Sequence, residues 1–230
     1  MKKTLARFLF SSLFTSFLLL PLGPLAGCQP TPDESVTVPL RDPLAWPACT
    51  SLSSWCYKVG DFHPASAVDY LELRSRDDGS KPGDCVADSI GTKCEKATDP
   101  RKCKEALLST EPAWNYLRSG YLTLYTTSGD RVQSVSLLRD SLTPFLAPID
   151  SAQEAAFLAS GAGYFVDCAA PMDQVVRSVA GGYEVTGTTG NACGPGQDVY
   201  RHKLLIGSDG SITDEQSELI KMTDASCIVD

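Results

Sequence analysis

The pattern of apolar and polar residues changes character along the chain, and its first segment is an apolar run at residues 8–20, rich in Phe and Leu. Lys2, Lys3 and Arg7 precede this run, and helix-breaking and small residues follow from Pro21. A basic start, a short apolar stretch and a small-residue end are typical of a secretory signal peptide. The run is about 13 residues long, whereas a transmembrane helix needs about 20.

The second segment, residues 29–47, contains five prolines and no periodic apolar pattern. Proline removes a backbone donor and fixes φ, so this density excludes a helix or a central strand. An extended chain of this kind spans about 3.1 Å per residue. We therefore expect residues 28–48 to form a tether, with a single domain at residues 49–230.

Helix signals occur at three places in the remaining chain. Asp99 is placed to cap a helix with Pro100 at its first position and Cys103, Ala106 and Leu107 on one face. A short helix is expected near residues 142–146. Another is expected after Asp150 or Ser151, with Glu154 completing a capping box and Gly161 at the end.

Strand signals alternate with turn signals. Residues 121–127 and 131–137 flank Ser128-Gly129-Asp130 and predict a hairpin. Further strands are expected at residues 164–168, 174–179, 183–188, 200–206 and 211–216. Residues 68–74 fit either a strand or a short helix. Asp77-Asp78-Gly79 and Pro82-Gly83-Asp84 predict turns.

Together these elements predict an α+β domain in which a helical layer packs on a mostly antiparallel, meandering sheet. Eight cysteines fall in or beside them: Cys49, Cys56, Cys85, Cys94, Cys103, Cys168, Cys193 and Cys227. An even number in an exported chain predicts four disulfides. A zinc site is disfavoured because the chain contains no Cys-x-x-Cys pair. We expect Cys49 to pair with Cys56 and Cys94 with Cys103.

The charge of the chain limits its partners. The formal net charge is −8, and loss of the three signal-peptide cations brings the remaining 203 residues near −11. Such a surface argues against nucleic acid and against electrostatic binding to anionic lipid. Asp77, Asp78, Asp84 and Asp88 lack the alternating spacing of an EF-hand, which favours a solvated acidic loop over a calcium site.

Catalytic motifs are absent. The chain has no Gly-x-Ser-x-Gly, Ser-x-x-Lys or His-Glu-x-x-His pattern and no phosphate-binding glycine loop. His63 and His202 are the only histidines, and a surface or strand-packing role is favoured for both. The aromatic residues Trp46, Trp55, Trp114, Tyr116, Tyr121 and Tyr125 could form a contact patch, but core packing is favoured. No catalytic, cofactor-binding or metal-binding residue is predicted.

Leu25-Ala26-Gly27-Cys28, at the end of the signal segment, resembles the lipobox of bacterial lipoproteins. The resemblance implies that Cys28 receives a diacylglycerol, that the chain is cut between Gly27 and Cys28, and that the new amino group is acylated. Residues 1–27 are then the signal peptide, and the lipid on Cys28 is the only added group expected. Several acyl chains would hold the protein on a membrane. Gln29, where Asp would imply retention in the inner membrane, implies the outer membrane.

The body also resembles uncharacterised, cysteine-rich lipoproteins of myxobacteria over about residues 85–215. The segments CEKATDPRKCKEALL, GYLTLYTTSGDRV, FLAPIDSAQEAAFLA and RHKLLIGSDGSI carry this resemblance. We therefore expect a lipid-anchored envelope protein with a non-enzymatic binding or structural role toward another envelope protein or a glycan. The alternatives are a carboxylate-dependent envelope hydrolase and a lipid-anchored effector acting on neighbouring cells.

Overall fold

A computed structural model describes residues 46–50, 52, 54–77, 82–117, 120–190 and 198–221. Within these ranges the chain is α+β, as predicted, and its strands form two five-stranded antiparallel sheets rather than one. The signal segment, Gly27, Cys28 and nearly all of the Pro-rich tether lie outside the described residues. Pro47 and Cys49 already exchange backbone hydrogen bonds with Val86.

The first sheet, sheet A, is built from the amino-terminal half of the domain. Its strands are β1 (Tyr70–Asp77), β2 (Pro82–Gly91), β3 (Asn115–Leu117), β4 (Gly120–Ser128) and β5 (Arg131–Val135). The order is β2-β1-β4-β3, and β5 pairs with the remainder of the β4 edge that β3 leaves open. The predicted hairpin is confirmed as β4 and β5.

The second sheet, sheet B, repeats this arrangement with other strands. It contains β6 (Phe165–Val166), β7 (Val176–Val179), β8 (Gly182–Thr189), β9 (Val199–Gly207) and β10 (Ile212–Lys221). The order is β10-β9-β8-β6, and β7 shares the β8 edge with β6. Strands β8, β9 and β10 form an antiparallel meander, so the end of each strand lies beside the start of the next.

Four α-helices and one 3₁₀ turn, Trp55–Tyr57, occur in the described chain. The helices are α1 (Pro100–Ser109), α2 (Arg139–Leu146), α3 (Ala152–Gly161) and α4 (Met172–Val175). The predicted caps of two helices are confirmed: the Asp99 carboxylate accepts the Lys102 N–H, and Ser151 and Glu154 form the capping box of α3. These caps satisfy backbone donors that would otherwise lack partners.

One hydrophobic cluster joins both sheets to the helices. It includes Leu71 and Leu124 of sheet A, Leu158 of α3, and Val185 and Leu204 of sheet B, all fully buried. The opposite face of sheet A carries a second, smaller cluster of Tyr70, Leu107 and Tyr125, which α1 covers. Strand β1 is consequently buried on both faces, and α3 lies where both sheets contribute to the main core.

The cysteine pairing partly contradicts the prediction. The described residues contain the disulfides Cys49–Cys85, Cys56–Cys168 and Cys94–Cys103. The expected Cys94–Cys103 bridge is confirmed, whereas the expected Cys49–Cys56 bridge is wrong.

The physical reason lies in the position of the two cysteines. The backbone of Cys49 is hydrogen-bonded alongside β2, which places it next to Cys85, while Cys56 lies in the 3₁₀ turn near the end of β6. Cys193 and Cys227 lie outside the described residues, and a fourth bridge stays a prediction.

Strand β2 is an element that the sequence analysis does not predict. Its first residue is Pro82, within the triplet expected to form a turn. Proline and glycine are unfavourable in strand interiors, but proline is tolerated at the first strand residue. Pairing with β1 along residues 82–91 overrides the local turn preference.

Candidate functional site

A cavity of about 400 Å³ opens between the two sheets beside α3. Its wall is mainly apolar and includes Trp55, Leu122, Phe157, Phe165 and Val166. Ser160, Thr188 and Thr189 supply hydroxyl groups to the same wall. Cavities of about 300–1,000 Å³ with apolar walls and a few polar groups are typical of small-molecule sites.

Among its described lining residues the cavity has no side chain with a formal charge. The lining set consists of Trp55, Cys56, Tyr116, Leu117, Leu122, Ala156, Phe157, Ser160, Gly163, Tyr164, Phe165, Val166, Cys168, Thr188, Thr189 and Gly190. An ion bound there would lose its hydration without gaining a counter-charge. The wall therefore favours a neutral, largely apolar occupant.

Two tyrosines mark the rim of the cavity. Tyr116 of β3 contributes to the lining yet is 68% exposed, and Tyr121 of β4, its cross-strand partner, is 45% exposed. Their rings meet edge to face with centroids 5.1 Å apart. Of the aromatic residues proposed as a contact patch, these two are exposed, whereas Tyr125 is buried.

The side of the cavity near Trp55 is tied to two other segments, the loop that follows β6 and helix α3. The Cys56–Cys168 disulfide forms part of the lining, and the Trp55 indole N–H donates to the Ala170 carbonyl at 2.8 Å. The Gln153 amide of α3 donates to the carbonyls of Trp55 and Lys58, each at 2.5 Å. These bonds hold this wall in place against α3.

The polar end of the cavity leads into a chain of hydrogen bonds across three adjacent strands. Thr189 of β8 has its hydroxyl oxygen 2.8 Å from His202 Nε2, and His202 Nδ1 on β9 is 2.7 Å from Asp214 Oδ2 on β10. The His202 side chain is only 12% exposed and that of Asp214 is 35% exposed. Of these three residues, Thr189 is the one that lines the cavity.

Strand register explains why these three residues meet. Thr189 lies opposite Tyr200 and His202 opposite Gly187, so Thr189 and His202 are diagonal neighbours on one face of sheet B. Asp214 of β10 lies opposite Leu204 of β9, so Asp214 is a diagonal neighbour of His202 across the β9–β10 pair. The Tyr164 ring packs edge to face on the His202 ring at 5.1 Å. Burial raises the pKa of the Tyr164 hydroxyl, and the Asp214 charge adds to that rise.

A second histidine cluster lies at the start of α3. His63 Nδ1 is 2.6 Å from Asp150 Oδ1, and Glu154 is close enough for one ligand atom of each residue to lie within 4.8 Å of the others. Both Glu154 oxygens already accept backbone N–H groups, one from His63 and the other from Asp150 and Ser151. The cluster thus joins the loop at His63 to the helix cap.

Opposing effects set the ionisation of this cluster. The hydrogen bond to Asp150 is the main cause that raises the pKa of His63. Burial raises the pKa of the Glu154 carboxyl, and its backbone hydrogen bonds pull in the other direction. A buried carboxylate that accepts three N–H groups is well suited to bracing a helix start.

A shallow groove on sheet B contains Glu184 and Glu218, but both are paired with cations. Glu184 contacts Arg177 at 2.8 Å and Lys203 at 2.6 Å, and Glu218 contacts Arg201 at 3.5 Å. The Lys203 and Arg177 contacts hold the pKa of Glu184 below its usual range. Glycoside cleavage requires a carboxylic acid with a raised pKa, whereas the pKa of Glu184 is lowered.

The structure thus brings together residues that sequence reasoning treated separately. His202, expected to pack on a strand, does lie in β9, but its ring nitrogens contact Thr189 and Asp214. Neither partner was singled out from the sequence, because spacings of 13 and 12 residues match no motif.

The Asp88 carboxylate accepts a hydrogen bond from the Val59 N–H. Gly27, Cys28, Cys193 and Cys227 lie outside the described residues.

Within the described part of the chain, no helix is both long and apolar enough to span a membrane. Comparison with protein-family models, with curated proteins and with solved structures gives no match for this chain.

Proposed function

We propose that this chain is a lipid-anchored protein of the bacterial cell envelope whose body binds a small, neutral, largely apolar molecule in the cavity beside α3. The observation that carries the binding role is the cavity itself, with an uncharged wall to which Ser160, Thr188 and Thr189 contribute hydroxyl groups. The anchor is the lipid on Cys28, and Gln29 favours the outer membrane.

The disulfides support an exported location. Bridges persist in oxidising compartments and are rare in the cytosol. The six described cysteines are all paired, and two bridges, Cys49–Cys85 and Cys56–Cys168, connect segments that are 36 and 112 residues apart in sequence. This agrees with a body that works outside the cytoplasm.

The cavity explains the ligand class. Trp55, Phe157 and Phe165 offer aromatic surface for an apolar group, and each Å² of apolar surface removed from water contributes about 25 cal/mol. The hydroxyl of Thr189 offers one polar contact that would orient the ligand. The acidic surface of the chain disfavours nucleic acid as the partner.

A cavity-filling variant tests the binding role in the full-length, membrane-extracted protein. Ser160 lines the cavity on α3, so Ser160→Phe is expected to weaken the binding of the apolar dye Nile red at least about tenfold. Ser109→Phe, at an exposed position of α1, serves as the matched control and should bind like the wild type. Absence of saturable dye binding to the wild type, or equal binding by a folded Ser160→Phe protein, would refute the role.

The anchor needs a separate test. Cys28→Ala is expected to abolish labelling by a palmitate analogue and to leave a longer, unprocessed precursor, because the thiol is the acceptor of the lipid. Mass spectrometry of the native amino terminus gives the same answer independently. Normal acyl labelling of the variant would rule out Cys28 as the lipidated residue.

A further inference from the structure

The hydrogen-bond chain at the end of the cavity has the geometry of a nucleophile, a base and an orienting carboxylate. His202 Nδ1 contacts the Asp214 carboxylate, which can only accept when ionised, so the ring presents its Nε2 lone pair toward Thr189. The Thr189 hydroxyl then donates to Nε2 at 2.8 Å. Hydrolytic triads are recognised by this arrangement of roles, whatever their order in the chain.

We propose that Thr189, His202 and Asp214 form a hydrolytic triad that cleaves a small neutral ester of an apolar acid held in the cavity. The proposal rests on the proposed binding role of the same cavity and adds chemistry to it. Thr189 is the catalytic nucleophile, His202 carries the proton, and Asp214 positions the imidazole.

Three observations connect the triad to the cavity. Thr189 belongs to both, since its side chain lines the cavity and contacts His202. Gly190, which also lines the cavity, adds no side chain beside the nucleophile. His202 is nearly buried, and Tyr164 covers its ring from the cavity side.

The reaction balances with water as the only co-reactant. Thr189 Oγ1 bonds to the ester carbonyl carbon while its proton moves to His202 Nε2. The bond from that carbon to the alkoxy oxygen breaks, and the leaving alcohol takes the proton from His202. Water then attacks the threonyl ester and gives a proton to His202. The carboxylic acid leaves, and Thr189 Oγ1 regains its proton.

The uncharged wall determines the substrate class. None of the described lining residues is Lys or Arg, so the cavity lacks a partner for a phosphate or a free carboxylate. The aromatic and aliphatic side chains of Trp55, Leu122 and Phe157 would hold the acyl group. The rim tyrosines Tyr116 and Tyr121 would lie near the entrance of the cavity. A short-chain ester is therefore a suitable probe.

The experiment measures hydrolysis of p-nitrophenyl butyrate by the full-length protein in detergent. We expect turnover by the wild type, a loss of at least about 100-fold in kcat/KM in Thr189→Ala and in His202→Gln, and retained activity in Thr189→Ser. Asp214→Asn should lose activity as well. Thr213→Ala, an exposed neighbour of Asp214 on β10, is the control and should match the wild type.

A covalent readout separates nucleophilic catalysis from a structural role. A fluorophosphonate probe is expected to modify the peptide that contains Thr189, and this adduct should disappear in His202→Gln even when circular dichroism shows a folded protein. Wild-type turnover that persists in Thr189→Ala, or no turnover and no adduct in the wild type, would overturn the triad. Nile red binding distinguishes the two proposals: binding without Thr189-dependent turnover refutes the hydrolysis alone, and absence of binding refutes both.

Discussion

The guanidinium carbon of Arg74 lies 3.7 Å from the centre of the Tyr125 ring, on the face of sheet A that α1 covers. The same guanidinium forms an ion pair with Glu72 and donates to the Leu107 carbonyl of α1 at 3.1 Å. Lys93 and the Tyr70 hydroxyl complete the contacts of Glu72. Arg74 and Glu72 are almost completely buried, so this network fixes where α1 docks on sheet A.

Arg74→Met is expected to lower the free energy of unfolding by about 3–5 kcal/mol, because it leaves the Glu72 carboxylate buried with only Lys93 as a cation. Urea denaturation followed by circular dichroism measures this loss. Arg76→Met is the matched control on the same strand: Arg76 is exposed and lies 5.8 Å from the Trp114 ring centre, a contact worth about 0.5–1 kcal/mol. Equal effects of the two substitutions would contradict a special role of the buried network.

The bridges should contribute unequally to stability. Cys56–Cys168 spans 112 residues and Cys94–Cys103 only 9. In the chain-entropy description, removal of the long-range bridge costs about 4–5 kcal/mol and removal of the short one about 2–3 kcal/mol. Paired Cys→Ser variants, compared by denaturation under non-reducing conditions, check this order. A larger loss for the Cys94–Cys103 variant would mean that entropy of the unfolded chain does not dominate.

Gly161 should be intolerant of a methyl group. A Cβ at this position would collide with the Leu137 carbonyl oxygen, where the end of α3 meets the start of α2. Gly161→Ala is therefore expected to destabilise the protein by about 1–3 kcal/mol or more. Gly163→Ala tests backbone conformation alone, because Gly163 has φ +95° with open space around it, and its smaller loss should be near 1 kcal/mol. Thermal denaturation of both variants gives the comparison.

His63 should titrate above its ordinary value of 6.5, because Asp150 accepts a hydrogen bond from the protonated ring. Asp150→Asn is expected to lower that pKa, which NMR of the imidazole protons measures directly. The folded state binds this proton more tightly than the unfolded state does. The contribution of His63 to stability is therefore full below about pH 6.5 and is lost as the pH rises through the raised value.

The His63 side chain is 61% exposed, so salt should weaken the effect. Repeating the titration at high ionic strength serves as the control. An unchanged His63 midpoint in Asp150→Asn would show that Asp150 is not the main cause of the shift.

Local signals in the sequence were sufficient for elements that satisfy their own hydrogen bonds. Asp99 and Pro100 define the start of α1, and Ser151 and Glu154 define that of α3, because each cap bonds backbone N–H groups within four residues. The β4–β5 hairpin follows from its turn residues for the same reason. Strand β2 was missed because its local turn preference is overridden by pairing with β1.

The sequence by itself determined the α+β class, the two capped helices, the hairpin and the short Cys94–Cys103 bridge, all of which depend on residues close together in the chain. The tertiary structure alone decided that Cys56 pairs with Cys168, that Glu72 and Arg74 are buried together, and that Thr189, His202 and Asp214 meet beside a cavity. These contacts depend on which strands pair and in what register. Register depends on turn geometry and on which face of each strand the folded core buries, and a slip of one residue would move every side chain to the other face.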